Sequence, residues 1–244
     1  MQYHGGKARL AKHFAPHIEA ALAETNGFLY EPFTGGFNIQ PALRPCLVKW
    51  AINGDVHGGL ITLYRALQQG WEPPEALSEQ EWRALKTERD YSKPETAFAA
   101  FGCSFRAYEF GGYAHVDGKG FADRARRGLL RKRESMGPVE FRWQDFAGLE
   151  SMEDLKIFGP ATIYADPPYS ETTGYKTGSG FDHQRFYRWV GQMADAGHTV
   201  LISEFTPPQG VVYDVLWRKP RHVSGTEAGA KRVEEVYRVL RSKP

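Results

Sequence analysis

Residues Ala161 to Tyr169 read ATIYADPPY, an apolar strand-forming run of five residues closed at once by an acid, two prolines and a tyrosine. Proline lacks an amide hydrogen and fixes φ, and it pushes the residue before it toward extended backbone, so a ladder entering this stretch must stop there. The chain repeats the design. FLYEPF (Phe28 to Phe33) is a short apolar run halted by Pro32 and the Gly35-Gly36 pair, and CLVKWAI (Cys46 to Ile52) ends at NGD. VEFRWQDF (139 to 146), HTVLISEF (198 to 205), GVVYDVLW (210 to 217) and EVYRVL (235 to 240) are also strand-like. Helical spacing over Ala8 to Glu24, Val56 to Gln69 and His183 to Ala196 separates several of them. Strand, loop, helix, strand, acid, helix predicts a doubly wound α/β sheet.

Residues 71–136 depart from this pattern. They carry charged helical stretches (Glu79 to Arg89), then the aromatic, glycine-rich and basic FGCSFRAYEFGGYAHVDGKGFADRARR, with no long apolar strand. We read them as an inserted lobe on a core built from residues 1–70 and 137–244.

A chain of 244 residues with 41% hydrophobic content buries a sizeable core. No stretch reaches the roughly 18 uncharged apolar residues of a membrane span, and MQYHGGKARLAKHF lacks the apolar centre of a secretory signal, which predicts a cytoplasmic protein without membrane attachment. Cys46 and Cys103 match no ligand spacing and read as buried small hydrophobes, and His57, His115 and His183 read as packing or surface residues, so no metal is expected. The net charge is only +2, but Lys119 to Arg133 holds seven basic residues against Asp123 alone. That local block is either a solvated helix face or a phosphate contact.

In doubly wound sheets ligands bind beyond the strand ends where strand order reverses. EPFTGGFN is one such loop, with Glu31 at the strand end and Gly35 and Gly36 leaving room for close backbone approach. Asp55 follows Gly35 by 20 residues, the separation at which an acid on the next strand reaches ribose hydroxyls. The loop has neither the three-glycine dinucleotide fingerprint nor the lysine and hydroxyl of a P-loop, so it does not predict a pyrophosphate. DPPY offers a carboxylate, carbonyls projected without a competing local N–H, and the flat face of Tyr169. That set suits an exocyclic amino group on an aromatic ring.

Taken in order, YHGGK (Tyr3 to Lys7), EPFTGG, NGD, DPPY, LISEF and VSGTEAGAKRVEEVYRVL resemble the motifs of the Dam-like, alpha-group S-adenosylmethionine-dependent DNA adenine-N6 methyltransferases over nearly the whole chain. The Phe33-Thr34-Gly35-Gly36-Phe37 loop is closer to phage-type members than to the usual FxGxG. The resemblance implies a Rossmann-like class I methyltransferase sheet with an inserted target-recognition lobe. It implies S-adenosylmethionine bound by Tyr3, Lys7, Glu31, Phe33, Gly35, Gly36, Asp55, Gln144, Asp145 and Phe146, with Asp166 at its border. Asp166, Pro167, Tyr169 and Lys7 are the implied catalytic set. The implied partner is double-stranded DNA, with or without a restriction nuclease. Arg106 would contact a base, while Arg124, Arg127 and Arg131, at i, i+3 and i+7, would share a helical face toward phosphates. Two other readings stay open: methylation of another planar amine, such as cytosine N4 or an RNA base, and a DNA-binding regulator that keeps the fold without catalysis. Relatives acting on other amines more often carry Ser or Asn before the prolines.

Overall fold

A computed structural model of the chain describes residues 3, 5–116, 119–151, 159–169, 180–222 and 231–242. The strands are β1 (Phe28–Glu31), β2 (Trp50–Asp55), β3 (His115–Val116), β4 (Lys119–Gly120), β5 (Val139–Trp143), β6 (Thr162–Ala165), β7 (Thr199–Glu204), β8 (Tyr213–His222) and β9 (Lys231–Val239). The helices are α1 (Ala11–Glu24), α2 (Gly58–Gln68), α3 (Glu79–Glu88), α4 (Pro94–Ala97), α5 (Ala122–Arg133) and α6 (His183–Asp195). The main sheet has the order β5-β2-β1-β6-β7-β9-β8, and β3 pairs only with β4. Sequence order runs outward from β1 through β2 to β5 on one side and from β6 to β7 on the other, where β9 then inserts before the edge strand β8, and the reversal lies between β1 and β6. This is the doubly wound, Rossmann-like α/β fold that the sequence predicts.

Several boundaries moved for local reasons. Pro45–Leu47 forms a tight 3-10 turn, so β2 begins at Trp50 and not at Cys46. Cys46 is exposed, against expectation, while Cys103 is buried and its thiol is pushed up to about 12 by that burial. Strand β8 continues through Pro220 to His222, which a sheet-edge position tolerates because the missing N–H removes no ladder bond on the open side. Of the C-terminal motif, residues 223–230 lie outside the described residues, as do residues 170–179 after DPPY.

The chain divides into two compact units. The first comprises residues 1–12, 34–45 and 52–145, and it contains all of residues 71–136. Its centre is α2, whose Leu60, Leu63, Tyr64 and Leu67 are fully buried. Helix α3 starts at a capping box in which Ser78 and Glu81 each satisfy the other's backbone N–H. Trp82 anchors α3, donating its indole N–H to the Ala99 carbonyl at 3.2 Å and to Ser104 Oγ at 3.1 Å.

The second unit comprises residues 13–33, 46–51 and 146–244. Here β1, β6 and β7 run parallel in register, Leu29 opposite Thr162 and Thr162 opposite Thr199. Strand β9 returns antiparallel between β7 and β8, with Glu204 opposite Glu235 and Lys219 opposite Glu234. Phe14, Ile18 and Leu22 of α1 and Phe186, Trp189 and Val190 of α6 supply the apolar stripes packed in this unit.

Candidate active site

In the second unit the strand-order reversal brings the ends of β1 and β6 side by side, each closed by an acid. Beyond Ala165, Pro167 removes an amide and the ladder ends. The Asp166 carboxylate is held there: Ser203 Oγ, on β7, donates to its Oδ1 at 2.9 Å. Ser203 has one hydroxyl hydrogen, so in its 2.9 Å contact with Tyr164 the phenol must be the donor. The result is a directed chain, Tyr164 to Ser203 to Asp166, that orients one carboxylate oxygen. Burial first, and the Asp166 charge second, push the Tyr164 phenol well above its usual range, so it stays a donor. Tyr169 donates to Glu234 Oε1 at 3.0 Å, and its ring meets Phe205 edge-on at 4.6 Å. Burial, then the charges of Asp166 and Glu234, raise this phenol in the same way. Glu31, Glu204 and Glu234 are also buried at this end of the sheet.

His183 is half-buried and makes a structural contact with the DPPY segment. At the start of α6, whose N-cap Asp182 accepts from Arg185 N, its Nε2 lies 2.9 Å from the Pro168 carbonyl. Phe33 and Phe146 stack at 5.9 Å and join Phe186 and Trp189 in an aromatic cluster, with the Arg185 guanidinium 4.6 Å over the Phe146 ring. The Phe146 carbonyl accepts from Tyr30 Oη at 3.0 Å.

In the first unit Asp55 closes β2. Its Oδ2 accepts from Gly35 N and its Oδ1 from His57 N, both at 2.8 Å, and burial raises the carboxyl pKa against the opposing pull of those two amides. The glycine loop is tied down at further points. Thr34 Oγ1 donates to the Gly54 carbonyl at 2.9 Å, Tyr64 Oη to the Gly35 carbonyl at 2.6 Å, and Lys132 Nζ to the Gly36 carbonyl and to Asn38 Oδ1. Packing within the unit also requires the two glycines. Gly35 has φ +46°, and a Cβ there would lie 3.0 Å from the Tyr3 ring; at Gly36 it would lie 2.8 Å from Tyr3 Cβ and 2.7 Å from Asn38 Nδ2. Tyr3 already fills the space. Lys7 is buried, its Nζ 3.4 Å from the Gly5 carbonyl, and Gln144, followed by Asp145, donates its backbone N–H to the Asp55 carbonyl at 3.1 Å.

Trp143 and Val56 are missing from the sequence-derived set. Trp143 is 71% exposed although its indole donates to the Val56 carbonyl at 3.0 Å, and Val56, the residue after Asp55, is 60% exposed. The sequence signal was present but weak: an aromatic on the polar side of an alternating strand. Lys132 belongs to the basic run in the sequence, and only the fold shows it bonded to the Gly35–Gly36 loop.

The basic block divides by role. Arg124, Arg127 and Arg131 all lie exposed on α5. Arg127 pairs with Asp123 one turn away, and Arg124 sits 5.9 Å from the Phe121 ring. Arg126 instead braces the unit, donating to the Pro73 carbonyl at 2.9 Å and to Glu72 at 2.7 Å. Arg106 is exposed in a loop closed by the Ser104–Tyr113 bridge, with left-handed backbone at Arg106 (φ +54°) and Ala107 (φ +57°). Its guanidinium lies 5.4 Å over the ring of the exposed Phe105. Non-glycine residues held in that region store strain of order 1 kcal/mol each, a common mark of functional loops.

Among the described residues no group of three His, Cys, Asp or Glu side chains could hold a metal ion, and no helix is long and apolar enough to cross a membrane. No protein-family model matches the chain and no curated protein matches it. Among solved structures, the rRNA methyltransferase aviRa from Streptomyces viridochromogenes aligns with a TM-score of 0.42 and 18% identity over 93% of this chain and 84% of that one. A methyltransferase candidate, yhhF from Escherichia coli, aligns with a TM-score of 0.39 and 11% identity over 96% of this chain and 83% of that one. Likeness at this level carries nothing of those proteins' activities over to this chain.

Proposed function

We propose that this chain is an S-adenosylmethionine-dependent methyltransferase that modifies the exocyclic amino group of adenine in double-stranded DNA. The observation that carries this reading is the end of β6, where Asp166 is oriented through Ser203 and Tyr164 beside the tethered Tyr169 ring. The sheet, with β9 antiparallel between β7 and β8, is of the class I methyltransferase kind that the resemblance implies.

The residues of the first unit fit the cofactor. A carboxylate offers about four acceptor positions, and Asp55 uses one on each oxygen for a loop amide, which leaves one on each for a ribose hydroxyl. Gln144 and Asp145, next to Asp55, and the exposed Trp143 and Val56 border the same turn. Bound S-adenosylmethionine supplies an activated methyl group at a cationic sulfur. Within the second unit, the Asp166 carboxylate favours the positive charge that appears on the accepting nitrogen.

An adenine amino nitrogen is a poor nucleophile because its lone pair is delocalised into the ring. Asp166 accepts one of its hydrogens and the Pro167 carbonyl the other, which favours a pyramidal nitrogen and returns the pair to it. Asp166 also stands where the departing proton is first received. A stacked adenine cannot reach a carboxylate at a buried strand end, so the base must leave the duplex at a cost of a few kcal/mol, and Tyr169 offers the face on which it rests.

Mass spectrometry of nucleosides from DNA and RNA incubated with the protein and isotopically labelled S-adenosylmethionine tests the reading. N6-methyldeoxyadenosine is expected. Label in cytosine, in RNA alone or in neither polymer would overturn it.

The arginines of α5 give an independent check on the partner. Replacing Arg124, Arg127 and Arg131 by Gln should weaken binding to every duplex and flatten the slope of log K against log salt by about 0.9 for each phosphate no longer neutralised. Cofactor affinity should not change. An unchanged salt slope in anisotropy titrations would make this helix a solvated face only.

A further inference from the structure

Tyr169 is tethered by an acid that no part of its motif spells out. Glu234, fully buried on β9 and 65 residues away in sequence, accepts the Tyr169 hydroxyl at 3.0 Å. Its neighbour Glu235 turns the other way, where it pairs with Arg218 at 3.2 Å and accepts from Tyr237, so the strand's alternation directs the two acids to opposite faces. Phe205 meets the same ring edge-on at 4.6 Å and 78°, and carries the Arg232 guanidinium 5.9 Å over its own face.

Burying a carboxylate is costly, and packing alone would accept a neutral residue here. A carboxylate facing a phenol forms a charge-assisted hydrogen bond, about twice as strong as a neutral one. A tyrosine ring turns about two torsions near its backbone. A bond at the far hydroxyl stops both, whereas an untethered ring presents its face only part of the time.

We propose that Glu234 is a positioning residue for the methyl-transfer reaction, acting through the Tyr169 hydroxyl to hold the ring on which the acceptor base stacks. The inference rests on Tyr169 being that stacking face. Glu234 itself touches neither base nor cofactor.

A double-mutant cycle read in kcat and KM for duplex DNA tests it. Glu234→Ala and Tyr169→Phe each remove one side of the same bond, so each should lower kcat by about 10- to 150-fold, and the double variant should be no slower than the slower single one. Glu234→Gln keeps an acceptor oxygen and should restore most of the rate, while the KM for S-adenosylmethionine stays near wild type. Losses that multiply in the double variant, or a Glu234→Ala enzyme with wild-type kcat, overturn the proposal. A second readout needs no substrate. In spectra of the protein labelled with carbon-13 in its tyrosine rings, the resonance that disappears in Tyr169→Phe should shift or broaden in Glu234→Ala, and recover in Glu234→Gln. A wild type inactive on DNA would sink the substrate reading, and the Tyr169 resonance alone then decides: unmoved in Glu234→Ala, it overturns the tether, and moved, it supports it.

Discussion

Asp166→Ala is expected to slow single-turnover methyl transfer to DNA by about 10²- to 10³-fold, the usual effect of deleting one fixed acceptor or donor at a reacting centre. Cofactor affinity should hardly change, because the carboxylate acts on the accepting nitrogen. The sharper test is Asp166→Asn. Ser203 donates to Oδ1, so an asparagine that keeps this bond presents its oxygen to Ser203 and turns its NH2 toward the amine. Two donors would then face each other. Asn should therefore rescue little, although it is nearly isosteric. Removing the side chain leaves Ser203 bonded to Tyr164, so the Asp166→Ala protein should still fold. An Asp166→Asn enzyme within threefold of wild type would show that acceptor orientation at Asp166 does not matter.

The sheet was legible because its signals are local. Apolar runs stopped by Pro32 or by the Asp166-Pro167 step mark strand ends directly, and the Ser78–Glu81 box marks the start of α3. Where an element depends on its neighbour, the reading fell short. Strand β8 passes through Pro220 only because it is an edge, and no property of residues 213–222 alone says so.

The site divides along the same line. Residue types at Asp55 and Asp166 announce strand-end acids. What holds them comes from far along the chain: Ser203 lies 37 residues after Asp166, and Glu234 lies 65 after Tyr169. The loop glycines have a second cause that their spacing does not reveal: Tyr3, more than 30 residues earlier, leaves no space for a Cβ at either position. Lys132 differs from the arginines beside it only through its tie to the Gly36 carbonyl and Asn38, which composition cannot reveal.

Asp55→Ala should weaken S-adenosylmethionine binding by about 100-fold or more. Two ribose hydroxyls would each lose a charged acceptor, and each such bond is worth about 10- to 150-fold. The bonds exist in ground and transition states alike, so turnover at saturating cofactor should fall much less than affinity. Asp55 also fastens Gly35 and His57 to β2, and its removal orphans both amides while sparing the cost of a buried charge. These opposing terms make the stability difference depend on pH, and its sign is fixed. Burial lifts the folded carboxyl above its unfolded value of 3.8, so its contribution to stability is fully present below that value and is lost as pH rises through the folded pKa. The melting temperature of wild type relative to Asp55→Ala should therefore be greatest in acid and shrink toward neutrality. Calorimetry showing unchanged cofactor affinity in a folded Asp55→Ala protein would remove Asp55 from the cofactor site. A melting difference that stays constant from about pH 4 to 8 would instead contradict the raised carboxyl.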